Sequence, residues 1–344
     1  MDLSRYTTLR LGGPAARLVE ATTDDEIVRV VREATAAGQP LLVLGGGSNL
    51  VVADAGFAGT VVRVATRGVE VGPDGVVHVA AGEVWDDVVG EMVARGLAGL
   101  ECLAGIPGSV GATPIQNVGA YGQEVAETIV AVRVLDRASC EVVSLGPEAC
   151  GFGYRSSAFK RDPARWVVLG VSFALDRSTG GASRPVRYAE LARALGVEVG
   201  DTAAVDAVRE AVLALRRGKG MVLDPSDPDS VSAGSFFTNP ILSAGAFAAL
   251  SARAGTDGPP PGWPEPDGRV KTSAAWLIER AGFHRGDGNP AGIAISSKHV
   301  LALTNRGGGT TAELVALARR IADGVRSTFG VDLVPEPVFV GHAW

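Results

Sequence analysis

Two glycine-rich segments and a few isolated polar residues are the places where this sequence could do chemistry. Gly45, Gly46, Gly47, Ser48 and Asn49 follow the apolar run Leu41-Leu42-Val43-Leu44. Glycines after a buried strand let successive N–H groups converge on an anion such as a diphosphate, and a plain tight turn has the same composition. The dinucleotide fingerprint needs a third glycine and then a helix. Leu50 fills that place and Val51-Val52 reads as strand, so this is not a Rossmann site, and no Walker lysine follows. The second segment, residues 102–123, carries no charge; it contains Gly105, Ile106, Pro107, Gly108, Ser109, Val110, Gly111 and Ala112. Gln116-Asn117 and Gly119-Ala120-Tyr121-Gly122 come behind. Glycines three apart clear one face of a turn, so that a flat ring or a phosphate can lie directly on the backbone. Loops normally face water, so a long uncharged loop with polar amides points to a ligand cradle. Two such cradles favour a large nucleotide with a diphosphate in its middle.

The single polar groups each have two readings. Ser235, in Ala233-Gly234-Ser235-Phe236-Phe237, lacks the Gly-x-Ser-x-Gly elbow and has no histidine close in sequence. Glu336, between Pro335 and Pro337 in an apolar stretch, is a paired core acid or an acid/base group with a shifted pKa. Arg155, in Tyr154-Arg155-Ser156-Ser157, is an anion clamp or a surface arginine. His78, His284, His299 and His342 are scattered without metal-ligand spacing, so no metal is expected. Cys102, Cys140 and Cys150 form no Cys-x-x-Cys pair and, being odd in number, fit a reducing compartment.

The elements that must position these groups alternate in type. Residues 17–20 read as a strand, and Thr23 caps a helix opening with Asp24-Asp25-Glu26 and carrying Ile27, Val30, Val31 and Ala34 on one face. With strand 41–44 this makes a βαβ-like opening. Strands are expected at 76–80, 129–135 and 166–175, with a helix over 83–95 that places Val84, Val88 and Met92 on one face. A helix over 201–217 repeats Val205, Val208, Val212 and Leu215 at spacings of three and four. A boundary is expected near residue 218, and residues 254–268, rich in glycine and proline, read as a mobile surface loop. Residues 273–282 read as a helix; Thr310 and Glu313 form a capping box for a second helix burying Leu314, Leu317, Ile321 and Val325. Residues 331–340 then read as a strand. The fold class is α+β in several modules.

Composition narrows the function. The 344 residues include 46 glycines, roughly double the usual share of ~7%, without a collagen period. A net charge of −6 with no basic block argues against a nucleic-acid partner. The N-terminus lacks the apolar core of a signal peptide. The charge-free stretch holds Pro107, Pro114 and several glycines, which a membrane span does not accommodate. A soluble, cytoplasmic protein is expected.

Thr7-Thr8-Leu9-Arg10-Leu11-Gly12-Gly13, residues 104–122, 154–160 and 234–240, and Pro335-Glu336-Pro337-Val338-Phe339-Val340-Gly341 together resemble one family, the UDP-N-acetylenolpyruvoylglucosamine reductases of peptidoglycan precursor synthesis. The resemblance implies a two-part FAD-binding fold of the vanillyl-alcohol-oxidase type followed by a separate α/β substrate-binding domain. The implied domains are residues 1–65, joined by a C-terminal strand over 336–344; residues 66–217; and residues 218–335. Non-covalent FAD would lie against Gly45 to Asn49 and against Gly105, Ile106, Pro107, Gly108, Ser109, Gly111 and Ala112. NADPH would donate hydride, and the other partner would be the UDP-sugar. Arg155, Ser235 and Glu336 would be the catalytic set. Pro185-Val186-Arg187-Tyr188-Ala189-Glu190-Leu191 looks like the tyrosine loop of one form of the family, so Tyr188 would contact the diphosphate. Lys219, Asn239 and His299 match further substrate positions. The chain is expected to be a monomer. Ser156 departs from the acid common after the Tyr-Arg pair, and Pro337-Val338 from the usual Val-Arg.

The chemistry of these residue types agrees with that implication. Hydride addition to the terminal carbon of an enolpyruvyl ether pushes negative charge onto the neighbouring carbon and its carboxylate. A fixed guanidinium can stabilise that charge where it develops. A protonated Glu336 can share its proton with the same oxygens, and the Ser235 hydroxyl can deliver the proton that the carbanion needs. Two other classes compete: a flavin oxidase of the same fold acting on an alcohol or hydroxy acid, and a nucleotide-sugar-binding module without chemistry.

Overall fold

A computed structural model describes residues 1–177, 180–255 and 258–344. The chain forms two compact units. The first comprises Met1, 15–47 and 57–218; the second comprises 2–14, 48–56 and 219–344.

In the first unit, strands Ala15–Ala21 and Leu41–Leu44 both run parallel to Phe57–Val64, which lies between them. The helix Asp24–Ala36 joins the outer two. Its N-terminus is closed by a capping box in which Thr23 accepts the Glu26 N–H, and Ile27, Val30, Val31 and Ala34 are buried. The βαβ expectation therefore holds with a third strand inserted. A five-stranded antiparallel sheet follows, in the order Glu141–Leu145, Ile129–Asp136, Trp166–Ala174, Val76–Ala80 and Val69–Val71. The helix expected over 83–95 is Trp85–Ala94. Val84 is its exposed N-cap, and the buried face is Trp85, Val88, Val89, Met92 and Val93. The buried face is shifted because Trp85, whose indole N–H donates to the Leu103 carbonyl at 3.0 Å, takes the core place expected of Val84. The helix Val205–Gly218 buries Val205, Val208, Val212, Leu213 and Arg216; Leu215 is only half-buried.

In the second unit, strand Ser232–Ser235 and strand Ile293–Ile295 flank Ala302–Asn305, all antiparallel. A second small sheet places Val270–Thr272 between Ile241–Leu242 and Gly262–Pro264. The stretch read as a mobile loop over 254–268 thus contains a paired strand; residues 256 and 257 of it lie outside the described residues. Helix Thr311–Phe329 has the expected Thr310–Glu313 box and buries Leu314, Leu317, Ile321 and Val325. Asp54 reinforces that N-terminus, its carboxylate accepting the N–H groups of Thr311 (2.8 Å) and Ala312 (3.0 Å). The strand expected over 331–340 is only Val338–Val340, paired parallel to Leu50–Val52. Pro335 and Pro337 lack the N–H that a longer ladder needs. Among the described residues, no helix is long and apolar enough to cross a membrane.

Candidate functional site

In the first unit the two glycine segments lie back to back. A Cβ on Gly46 would sit 2.6 Å from the Gly108 Cα, and one on Gly111 would sit 2.6 Å from the Ala81 Cβ. Carbon atoms settle at about 3.5–4.0 Å, so both glycines are required for close approach within the protein. Gly47 (φ 61°), Gly105 (φ 69°) and Gly108 (φ 130°) take left-handed or related backbone that side chains resist. Three N–H groups of the second segment are committed internally. Gly105 donates to the Asp86 carboxylate (2.6 Å), Gly111 to the Ala81 carbonyl (2.9 Å) and Ala112 to the Ser109 carbonyl (3.0 Å). What these three offer a ligand is space, not N–H donation. The run 45–49 crosses between units after Gly47, so Ser48 and Asn49 belong to the second. Uncharged loops made of glycine, serine and backbone fit a diphosphate-bearing cofactor such as FAD, because nothing in them repels its charge.

Arg155 sits at the tip of a tight turn closed by paired hydrogen bonds between Gly153 and Ser156 (3.0 and 3.1 Å). Its φ of 49° is left-handed. The guanidinium donates to the Gly119 carbonyl at 2.7 Å and the Asn117 carbonyl at 3.4 Å, and lies 5.4 Å from the Tyr154 ring centre. It is an anchored arginine, not a surface one. Tyr188 is exposed at the N-terminal edge of helix Ala189–Leu195 and meets Tyr121 edge-on, ring centres 5.5 Å apart. Burial pushes the Tyr121 phenol up to about 12, so it stays a neutral donor. Arg187 beside Tyr188 is paired with Glu127 at 3.1 Å. Burial likewise raises the Cys102 thiol to about 12 and keeps it unreactive.

In the second unit, Ser235 and Glu336 are brought together through the backbone. The Glu336 N–H donates to the carbonyl of Phe236, the residue after Ser235, at 2.8 Å, and Phe237 bridges to Pro335. The Asn49 amide donates to the Glu336 carbonyl at 3.3 Å. Asn239 uses its side-chain oxygen to accept the Ala274 N–H (3.0 Å), closing the start of helix Ala274–Arg280. The His299 N–H is held by the Ser296 hydroxyl at 3.2 Å, and Lys219 is half-buried beside Gly220.

Two residues are given no role of their own by the sequence. Asp229 is buried and accepts from Ser297 N–H (3.0 Å), Ser297 hydroxyl (2.5 Å) and Arg306 (2.7 Å), fixing the turn that leads into His299. Burial works to raise its carboxyl, but the Ser297 bonds and the Arg306 charge outweigh it and hold the group below the usual carboxylate range. The other is Asn117, fully buried, whose polar amide in an uncharged loop was the available signal.

Residues 15–146 match the family described as FAD binding domain, and residues 225–340 match the UDP-N-acetylenolpyruvoylglucosamine reductase C-terminal domain. The chain is 59% identical to the UDP-N-acetylenolpyruvoylglucosamine reductase of Streptomyces avermitilis, over 98% of this chain and 93% of that one. It is 58% identical to the protein of the same name from Thermobifida fusca, over 99% and 97%. The crystal structure of the UDP-N-acetylenolpyruvylglucosamine reductase from Thermus caldophilus superposes with a TM-score of 0.68 at 27% identity, covering 99% of this chain and 97% of that one. The anchored arginine, the joined serine and glutamate segments and the glycine cradles therefore stand in a chain that belongs to the UDP-N-acetylenolpyruvoylglucosamine reductase family.

Proposed function

We propose that this protein is an FAD enzyme that uses NADPH to reduce the enolpyruvyl ether of UDP-N-acetylglucosamine-enolpyruvate, giving UDP-N-acetylmuramate. The observation that carries the reading is the backbone pairing of the Ser235 and Glu336 segments in a chain so similar to proteins bearing the reductase name. Residues 1–65 with the strand at 336–344, and residues 66–217, would form the FAD-binding part; residues 218–335 would form the substrate part. Gly45 to Asn49 and Gly105 to Ala112 would hold the cofactor without a covalent bond. The protein works as a cytoplasmic monomer.

FAD held by those two segments would supply the hydride chemistry needed at the terminal vinyl carbon, with NADPH as the source of the electrons. The negative charge that develops on the adjacent carbon and its carboxylate is stabilised by Arg155, whose guanidinium is already oriented by two carbonyls. Glu336 shares a proton with the same oxygens. Ser235 delivers the proton that completes the product; a weak acid suffices because the acceptor is a strong base. Tyr188 closes over the diphosphate and excludes water, while Lys219, Asn239 and His299 contact the nucleotide sugar.

Stopped-flow traces of flavin absorbance test this. Ser235→Ala should leave FAD binding and reduction by NADPH intact while slowing reoxidation by the enolpyruvyl substrate at least about 10²-fold. Ser235→Cys should recover part of the rate, since a thiol also donates and is more acidic. An unaffected reoxidation step removes the proton-donor role, and rapid reoxidation by oxygen in place of the enolpyruvyl substrate favours the oxidase reading.

A further inference from the structure

Asn117 (φ 47°), Tyr121 (φ 48°) and Arg155 (φ 49°) are three of the five non-glycine residues with left-handed backbone among those described. Such backbone costs roughly 1–3 kcal/mol per residue and persists only where the surroundings enforce it. At Arg155 the Gly153–Ser156 bonds close the turn, the Lys160 ammonium donates to the Arg155 carbonyl at 3.1 Å, and Asn117 braces the turn from beneath. The Asn117 side-chain amide donates to the Gly153 carbonyl at 3.1 Å, in the turn that carries Arg155, and to the Glu124 carboxylate at 2.7 Å. Its side-chain oxygen accepts the Ala126 N–H at 3.1 Å. Its own carbonyl, with that of Gly119, receives the Arg155 guanidinium. Asparagine is the side chain that tolerates left-handed backbone while using both ends of its amide.

We infer that Asn117 is a positioning residue for Arg155, setting both the turn beneath it and the direction of its guanidinium. The inference rests on the role proposed above for Arg155. Asn117 touches neither cofactor nor substrate in this scheme. It acts on the one group asked to meet the charge of the enolpyruvyl carboxylate, and so on the second half-reaction alone. Misplacing such a group by about 1 Å can cost up to 10²-fold in rate.

The test is a double-mutant cycle between Asn117→Gly and Arg155→Ala, read in both half-reactions. Glycine accepts the left-handed backbone at 117 and deletes only the side-chain bonds. Asn117→Asp is the second variant; it keeps the shape and the acceptor for Ala126 but loses the amide donors and sets a carboxylate against that of Glu124. Each should retain FAD, shown by the absorbance of the purified protein, and be reduced by NADPH at the parental rate. Reoxidation by the enolpyruvyl substrate should slow about tenfold or more. Calorimetric titration with the product in the absence of turnover should show weakened binding in the same variants. On the Arg155→Ala background, Asn117→Gly should change nothing further. An undiminished effect on that background, or parental reoxidation in either folded variant, overturns the positioning role. If Arg155→Ala itself leaves reoxidation unchanged, the role assigned to Arg155 fails first and the inference falls with it.

Discussion

Replacing Gly46 by alanine tests whether the two glycine segments must touch for the cofactor to bind. The added Cβ would lie 2.6 Å from the Gly108 Cα. The optimum carbon separation is about 3.5–4.0 Å, so the loops would have to part by roughly 1 Å. The obstructing atom is backbone, so no side chain can swing aside. Overpacking of this kind costs about 1–3 kcal/mol. The free protein can relax by opening the loops, whereas a bound FAD would need them together. The strain then appears as lost affinity, about fivefold to 150-fold at 1.4 kcal/mol per factor of ten. The assay is titration of apoprotein with FAD by flavin fluorescence, alongside the thermal midpoint of each apoprotein. If the loops do not relax, the same energy lowers the midpoint instead. Parental affinity together with a parental midpoint would refute the close-packed cradle.

Gly245 provides the opposite outcome. It lies exposed near the start of helix Ala244–Arg253, and a Cβ added there would meet no atom within 4 Å, so Gly245→Ala should stabilise by about 0.5–1 kcal/mol in denaturant unfolding. Asp229→Asn should destabilise by about 1–2 kcal/mol at neutral pH, since bonds to a charged carboxylate become bonds to a neutral amide. The folded carboxyl is held low, so its stabilisation is fully present above the unfolded value of about 3.9 and is lost as pH falls through the folded value. The gap between the two proteins in melting midpoint should therefore close in acid; a gap constant down to strongly acidic pH would show that the charge contributes nothing.

Local signals were legible where they act within a few residues. Both capping boxes, Thr23 with Glu26 and Thr310 with Glu313, form as the sequence implied, because their hydrogen bonds involve residues three apart. The charge-free loop announced its burial through composition alone. Long-range partners were not legible. Nothing in the sequence says that Gly46 abuts Gly108, or that Gly111 abuts Ala81, although the need for small residues was visible at each. Residues 331–340 read as one strand, but pairing reaches only Val338–Val340, where Leu50–Val52 supplies a partner. The helical spacing of Val84 to Val88 and Met92 points it inward; the cap it forms, and the indole beside it, reverse that.

The candidate site shows the same division more sharply. Motif similarity could place Arg155, Ser235 and Glu336 on a map, since residue type is carried by sequence. It could not supply the reason why Arg155 points anywhere in particular. That reason lies in left-handed backbone at Asn117 and Arg155, which an asparagine tolerates but which an arginine does not announce in the sequence. Local preference opposes those conformations, and partners 36 residues apart in sequence impose them. Disagreement between local preference and the folded backbone is expected where a group must be held for chemistry. At this arginine the opposition has a traceable cause: one buried asparagine side chain with its three hydrogen bonds, and two carbonyls that leave the guanidinium little freedom to turn.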